Sequence, residues 1–152
     1  MTYQNELKEA MKKLGGHFLG ALATSAENRT TVRTMSFIVH EGSIYFQTGS
    51  DLLKYNQIKE NRNVAICSGN IQIEGIAEIL GQSMQHADIM KIYKQYYENS
   101  YATYSHLEKE VLIKISPKKI TEWEYDNEGK PYRIFLDLVQ ETICKEPYVV
   151  SN

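Results

Sequence analysis

The chain has 152 residues, of which 42% are hydrophobic and 24% charged, and 17 basic side chains against 19 acidic ones leave a net charge of −2. These values describe a soluble globular domain with length enough for a real core. They argue against a broad electrostatic footprint for nucleic acid, a local basic patch aside, and no apolar run approaches the roughly 20 residues that span a bilayer. The opening MTYQNELKEAMKK lacks the apolar stretch of an export signal, and Cys67 and Cys144 form no CxxC pair, so a cytoplasmic protein with reduced thiols and no membrane partner is expected.

Residues 3–14 read as an amphipathic helix: Tyr3, Leu7, Ala10, Met11 and Leu14 share one face, with Thr2 as N-cap and Gly15-Gly16 as the stop. Residues 17–25, HFLGALATS, form a strand rich in small side chains, in which Gly20 marks a bend or a close backbone approach. A turn at 26–29 leads to a second strand over 30–39, with Arg33 and Met35 on the face of Phe37 and Val39, and Thr34 and Ser36 on the opposite one. Glu41-Gly42 makes a hairpin turn into Ile44-Tyr45-Phe46. The polar run Gln47-Thr48-Gly49-Ser50-Asp51 then opens a helix beginning near Asp51, with Asp51 available as N-cap and Leu52, Leu53, Tyr55 and Ile58 turned inward.

Asn61-Arg62-Asn63 breaks that helix, and residues 64–67 make a short buried strand in which Cys67 is expected to be an inert, buried thiol. Residues 71–80 alternate cleanly, with Ile71, Ile73, Gly75, Ala77 and Ile79 on one face. Residues 85–98 read as one helix with Ile89, Ile92, Tyr93, Tyr96 and Tyr97 on its apolar side, and 99–106 as a loop carrying Tyr101 and Tyr104. Strands follow at 111–115 and 119–125, divided at Ser116-Pro117; 126–129 is a hairpin loop, 132–138 the last strand, and the tail from Val139 has no element. With no internal repeat and no linker, residues 1–152 form a single domain. Six or seven short strands with hairpin-length connections predict a mainly β fold, an antiparallel barrel with peripheral helices. The lack of regular β-α-β alternation and of GxGxxG disfavours a doubly wound nucleotide fold.

Arg33 on a strand and Lys54 in a helix flank the hydroxyl-bearing Thr48-Gly49-Ser50 turn, which would bring two cations and free helix N–H groups to one spot, a phosphate pocket. The four histidines show no HxH, HxxH or HxxxH spacing, so no metal site is expected. No nucleophile elbow is present and no side chain stands out as a catalytic acid or base. The tyrosines between 93 and 104, and Trp123, read first as packing on the barrel or on a partner.

The order of these segments resembles the FMN-binding split-barrel family related to pyridoxamine 5'-phosphate oxidase. The resemblance is carried by Leu22-Ala23-Thr24, Arg33-Thr34-Met35-Ser36-Phe37, Tyr45-Phe46-Gln47-Thr48-Gly49 with Lys54, Asn61-Arg62-Asn63-Val64-Ala65 and Ile73-Glu74-Gly75-Ile76-Ala77-Glu78. It implies a six- to seven-stranded split barrel and a homodimer with FMN in the clefts between subunits. Arg33, Thr34, Met35 and Ser36 would lie along the flavin, and Gln47 and Thr48 beside it. Lys54, Arg33 and Ser50 would serve the phosphate, while Asn70 or Gln72 would reach in from the other subunit. Leu52 and Leu53 stand where the family often carries further phosphate ligands, Arg62 replaces a proline, and the tryptophan and His-containing arginine segment that grip the vitamin B6 substrate are missing. The implied activity is that of an FMN-dependent oxidoreductase passing hydride to or from an unidentified small molecule, with NAD(P)H as a possible partner. A flavin-binding or storage module without turnover is the alternative, ahead of a small barrel that binds nucleic acid or protein.

Overall fold

In the computed structural model residues 1–151 are described. Its elements are α1 (Tyr3–Leu14), β1 (His17–Ala26), β2 (Arg29–His40), β3 (Ser43–Gly49), α2 (Leu53–Glu60), β4 (Asn63–Ser68), β5 (Ile71–Gln82), α3 (Ala87–Tyr96), α4 (Glu98–Tyr104), β6 (Glu110–Tyr125), β7 (Pro131–Asp137) and β8 (Thr142–Pro147). All strand pairs are antiparallel, and the sheet runs β3-β2-β1-β4-β5-β6-β7-β8. A further pairing of β3 with β6 closes the first six strands of that order into a barrel, which removes their free edges. The fold is the split barrel expected.

Much of it follows from local chemistry. Thr2 Oγ1 accepts from the Asn5 amide at 3.2 Å and Gly15 ends α1 with φ 77°. That helix lays Tyr3, Leu7, Ala10, Met11 and Leu14 on the barrel. The β1–β2 and β2–β3 hairpins turn at Glu27-Asn28 and Glu41-Gly42, each with two successive positive φ angles, which matches the right-handed twist of the strands. The β5 alternation places Ile71, Ile73, Gly75 and Ala77 inside.

Four expectations are corrected. The strands at 111–115 and 119–125 are one: β6 runs unbroken through Ser116-Pro117, pairing with β3 in its first half and with β7 in its second. Pro117 faces Gly75 beside a register shift in the β5 ladder, where a bulge accommodates a residue without an N–H. Gly75 is required there, because a Cβ would lie 2.7 Å from Ile115 Cγ2 and 2.9 Å from the Ser116 carbonyl oxygen. The tail is not structureless, since β8 pairs with β7 from Asp137↔Thr142 to Tyr132↔Pro147. Almost all of β8 is exposed, so it carries no alternating apolar signal, and Lys145, Glu146 and Pro147 guard it as an edge.

Residues 85–106 hold two helices, not one helix and a loop. The helix ends at Tyr96, the chain breaks at Tyr97, and the supposed loop is α4. Tyr97 is held at the break by its hydroxyl, which donates to the Phe18 and Phe37 carbonyls at 3.2 and 2.9 Å. Its neighbours Ile89, Met90 and Tyr93 form a second core on the outer face of the barrel with Ile38, Tyr45 and Leu112. Tyr96 is exposed and stacks on His17 at 3.9 Å. Last, Cys67 is exposed, not buried: β4 turns Val64 and Ile66 into the barrel and Cys67 outward.

Candidate functional site

A cleft of about 280 Å³ opens between the barrel wall and the α3–α4 pair. Thr34, Met35 and Ser36 of β2 and Gln47, Thr48 and Gly49 of β3 form its sheet side; Leu52 and Lys54 close one end, and Tyr93, Ser100, Tyr104 and Glu110 the other side. A larger hollow of about 440 Å³, lined in part by Glu74, Lys118 and Lys119, contains none of the predicted site residues.

α2 begins at Leu53, not at Asp51, and Leu52 occupies the N-cap without a side-chain hydrogen bond. Asp51 instead pairs with Lys109, Oδ2 to Nζ 3.1 Å, which holds its carboxyl below the usual range. The first N–H groups of α2 are therefore not consumed by an Asp51 cap. Leu52 and Leu53 are 45% and 40% exposed, because α2 packs through Gln57 and Ile58 and turns its N-terminal leucines off that face. Lys54, second in the helix, is half-buried and donates to Thr48 Oγ1 at 3.2 Å. Among the described residues no carboxylate stands within ion-pair distance of it. Burial and then the charge of Arg33 pull its ammonium below the ordinary lysine value, while Glu110 acts in the opposite direction.

Arg33 lies near Lys54 but behind the cleft wall. On the inward face of β2, its guanidinium donates to Thr24 Oγ1 at 2.6 Å, to Thr31 Oγ1 and to the Leu22 carbonyl at 3.4 Å. Gln57 Oε1 accepts from both threonine hydroxyls, at 2.6 and 2.7 Å. This partly buried network ties β1, β2 and α2 together and fixes where α2 presents Lys54.

Gln47 is 5% exposed; its Oε1 accepts from Ser105 Oγ at 2.8 Å, and its Nε2 has no partner among the described atoms. The Tyr93 phenol lies beside this amide, since Gln47 pulls its titration down against the effect of burial, and an acceptor on a ligand in the cleft would complete the amide's hydrogen bonding. Tyr93, whose phenol is raised by burial, shares a 2.8 Å hydrogen bond with Ser100. Ser50 does not line the cleft, and its N–H donates to the Lys109 carbonyl at 2.8 Å. Asn70 and Gln72 lie elsewhere on the barrel: Asn70 Nδ2 donates to the Trp123 carbonyl at 2.6 Å, and Gln72 faces a hollow with Ala21, Val32 and Cys67. Among the described residues no group of three or more His, Cys, Asp or Glu is placed to hold a metal ion, and no helix is long and apolar enough to cross a membrane.

Sequence reasoning brought together Thr34, Met35, Ser36, Gln47, Thr48 and Lys54. It missed Glu110, Ser100 and the part Tyr93 and Tyr104 play as walls, since these come from α3, α4 and the start of β6. The one available signal was an acidic residue entering an otherwise apolar strand.

The chain resembles several solved proteins in fold. The B. anthracis Sterne General Stress Protein 26 superposes with a TM-score of 0.63 at 24% identity, covering 88% of this chain and 99% of its own. PhzG from Burkholderia lata 383, solved in complex with tetrahydrophenazine-1-carboxylic acid, gives a TM-score of 0.67 at 14% identity over 97% of this chain and 92% of its own. A pyridoxamine 5'-phosphate oxidase-related, FMN binding protein from Nostoc punctiforme PCC 73102 gives 0.59 at 14% identity over 97% and 93%. No curated protein matches in sequence. These likenesses are of fold. The family model for pyridoxamine 5'-phosphate oxidase, however, matches residues 7–124, most of the chain, and with the split barrel in place the chain belongs to the pyridoxamine 5'-phosphate oxidase family.

Proposed function

We propose that this protein binds FMN in the cleft beside Lys54 and works as a homodimeric oxidoreductase on a small molecule. The observation that carries the reading is the pairing, in one cleft, of a half-buried lysine that has no carboxylate within ion-pair distance and a buried glutamine whose Nε2 meets no acceptor at hydrogen-bond distance, both among the described residues. A phosphorylated ligand with a polar ring edge satisfies both. FMN, when bound, supplies hydride chemistry at its ring, and the protein supplies binding, orientation and electrostatics. Lys54 neutralises phosphate, supported from behind by Arg33, and the Thr48 hydroxyl that Lys54 touches adds a further polar contact. Gln47 offers its free amide N–H groups to a ring acceptor, next to the strand segment 34–36. Tyr93 and Tyr104 supply the bulk that excludes water. NADH or NADPH is the proposed electron donor.

The test is the absorbance of purified protein after incubation with FMN and gel filtration. A band near about 450 nm that travels with the protein is expected from the bound flavin, and a flat spectrum refutes the reading. Bleaching of that band by NADH or NADPH, with return in the presence of an acceptor, separates an oxidoreductase from a storage module.

The outer face of β1, β2, β4 and β5 is where we place the second copy. Cross-strand rows there run Val32–Ala23–Ala65–Glu74 and Thr34–Ala21–Cys67–Gln72, with the polar Glu74 and Gln72 at the β5 end. Val32 and Leu19 are 66% and 63% exposed on this face, an apolar surface of mostly small side chains that a flat partner covers well. The second row starts at the cleft residue Thr34 and ends at Gln72, so packing two copies on this face would bring a partner's Asn70 and Gln72 towards the cleft. Val32→Glu is expected to shift the protein from dimer to monomer in analytical ultracentrifugation and to weaken FMN binding with it. A variant that stays dimeric would move the interface elsewhere.

A further inference from the structure

Glu110 opens β6 directly opposite Gly49 of β3 and lines the same cleft as Thr48 and Lys54. It is 6% exposed, and a Cβ on Gly49 would lie 3.7 Å from its Oε1, so the carboxylate lies against the floor formed by Gly49. Among the described residues no hydrogen bond and no ion pair engages it. The charged and titratable groups around it are Lys54 from α2, Lys109 beside it in the chain, Asp51 from the loop before α2 and Tyr93 from α3, with Arg33 beyond Lys54. Asp51 and Lys109 pair with each other at 3.1 Å and cancel. What remains is two cations and one buried carboxylate. A phosphate monoester, which carries nearly two negative charges at neutral pH, leaves that group under-neutralised by about one charge.

We propose that Glu110 is a specificity-determining residue of the cleft: it takes up one proton from water when a phosphate monoester settles beside Lys54, and while ionised it disfavours the phosphorylated ligand relative to its unphosphorylated counterpart. Burial favours the neutral carboxyl and pushes Glu110 above the usual range, opposed by Lys54 and Lys109 and aided by Asp51. An arriving anion moves it further in the same direction. Leu52 and Leu53 add no charge that would offset the carboxylate, so its protonation state weighs heavily. The proposal rests on the assignment of the cleft to a phosphorylated ligand, and its test separates the two.

FMN and riboflavin are titrated into the wild type and Glu110→Gln between about pH 5.5 and 8.5 by flavin fluorescence. Ionisation of the phosphate itself cancels in the ratio of the two proteins' FMN dissociation constants. The ratio of the wild-type FMN dissociation constant to that of Glu110→Gln is expected to rise with pH, by about tenfold for each pK unit that the bound phosphate adds to the carboxyl, with the riboflavin ratio unmoved. A ratio that stays constant with pH, or a riboflavin ratio that moves in step, overturns the proposal. If neither protein binds flavin, the flavin reading fails. Glu110 is still decided by carbon-13 spectra of its carboxyl in the wild type: inorganic phosphate raises its titration midpoint if the proposal holds, and an unmoved midpoint overturns it.

Discussion

Lys54→Met lowers FMN affinity by about 1.5–3 kcal/mol, roughly ten- to a hundred-fold, as loss of one charge-assisted contact to phosphate requires. Methionine keeps the stem and removes only the ammonium, so the packing of α2 through Gln57 and Ile58 stays intact. The same variant should melt no lower than the wild type. Burial and the neighbouring Arg33 hold the ammonium below its ordinary value, which means that the charge is disfavoured in the folded, empty cleft. By the same linkage, the wild type gains stability relative to Lys54→Met as pH rises toward the ordinary lysine value and Lys54 discharges. A cation kept at a cost to the fold is a mark of function rather than structure. Fluorescence titration and a thermal melt on one preparation check both halves. Unchanged affinity would remove Lys54 from the site, and a markedly lower melting temperature would make it a structural residue.

Phe37→Ala is expected to cost about 3–5 kcal/mol of stability, the usual result of emptying a fully buried aromatic site. Phe37 has no exposed surface, and its ring meets Phe18 at 5.0 Å and Phe46 edge-on at 5.8 Å. Its carbonyl also receives the Tyr97 hydroxyl, so one position serves both the barrel interior and the anchor between α3 and α4. For a chain of this size the loss corresponds to a fall of roughly 6–20 °C in melting temperature. Val139→Ala, 71% exposed just after β7, is the companion measurement and should leave the melt unchanged. A Phe37→Ala protein that melts within a degree or two of the wild type would show that the three rings do not form the packed centre assigned to them.

Much of the fold was legible because its signals are local. Alternation in 71–80, the paired turns at Glu27-Asn28 and Glu41-Gly42, and the Thr2 and Gly15 caps each lie within a few residues, and each reappears in place. The resemblance carried by residues 33–37 and 45–54 likewise located the wall of the cleft. Local pattern failed where a partner decides the outcome. β8 has no apolar face and becomes a strand only because β7 offers its edge. β6 survives Pro117 because it bulges at Lys118, opposite the Glu74-Gly75 step of β5, where Gly75 leaves room for it. The break at Tyr97 depends on carbonyls of β1 and β2 far away in the chain.

A small antiparallel barrel, the strand-to-helix segment that bears Thr48 and Lys54, and the family to which they belong can all be read from the order of the residues. The packing of distant segments decided that Arg33 stands behind the cleft in a threonine–glutamine network, and that Asp51 is drawn off by Lys109. It also decided that Glu110 shares the cleft with Lys54. The reason is geometric: hydrophobic period reports which way a side chain turns from its own strand. The charge a cleft holds depends on which distant strands the closure of the barrel sets side by side, as it does Gly49 and Glu110.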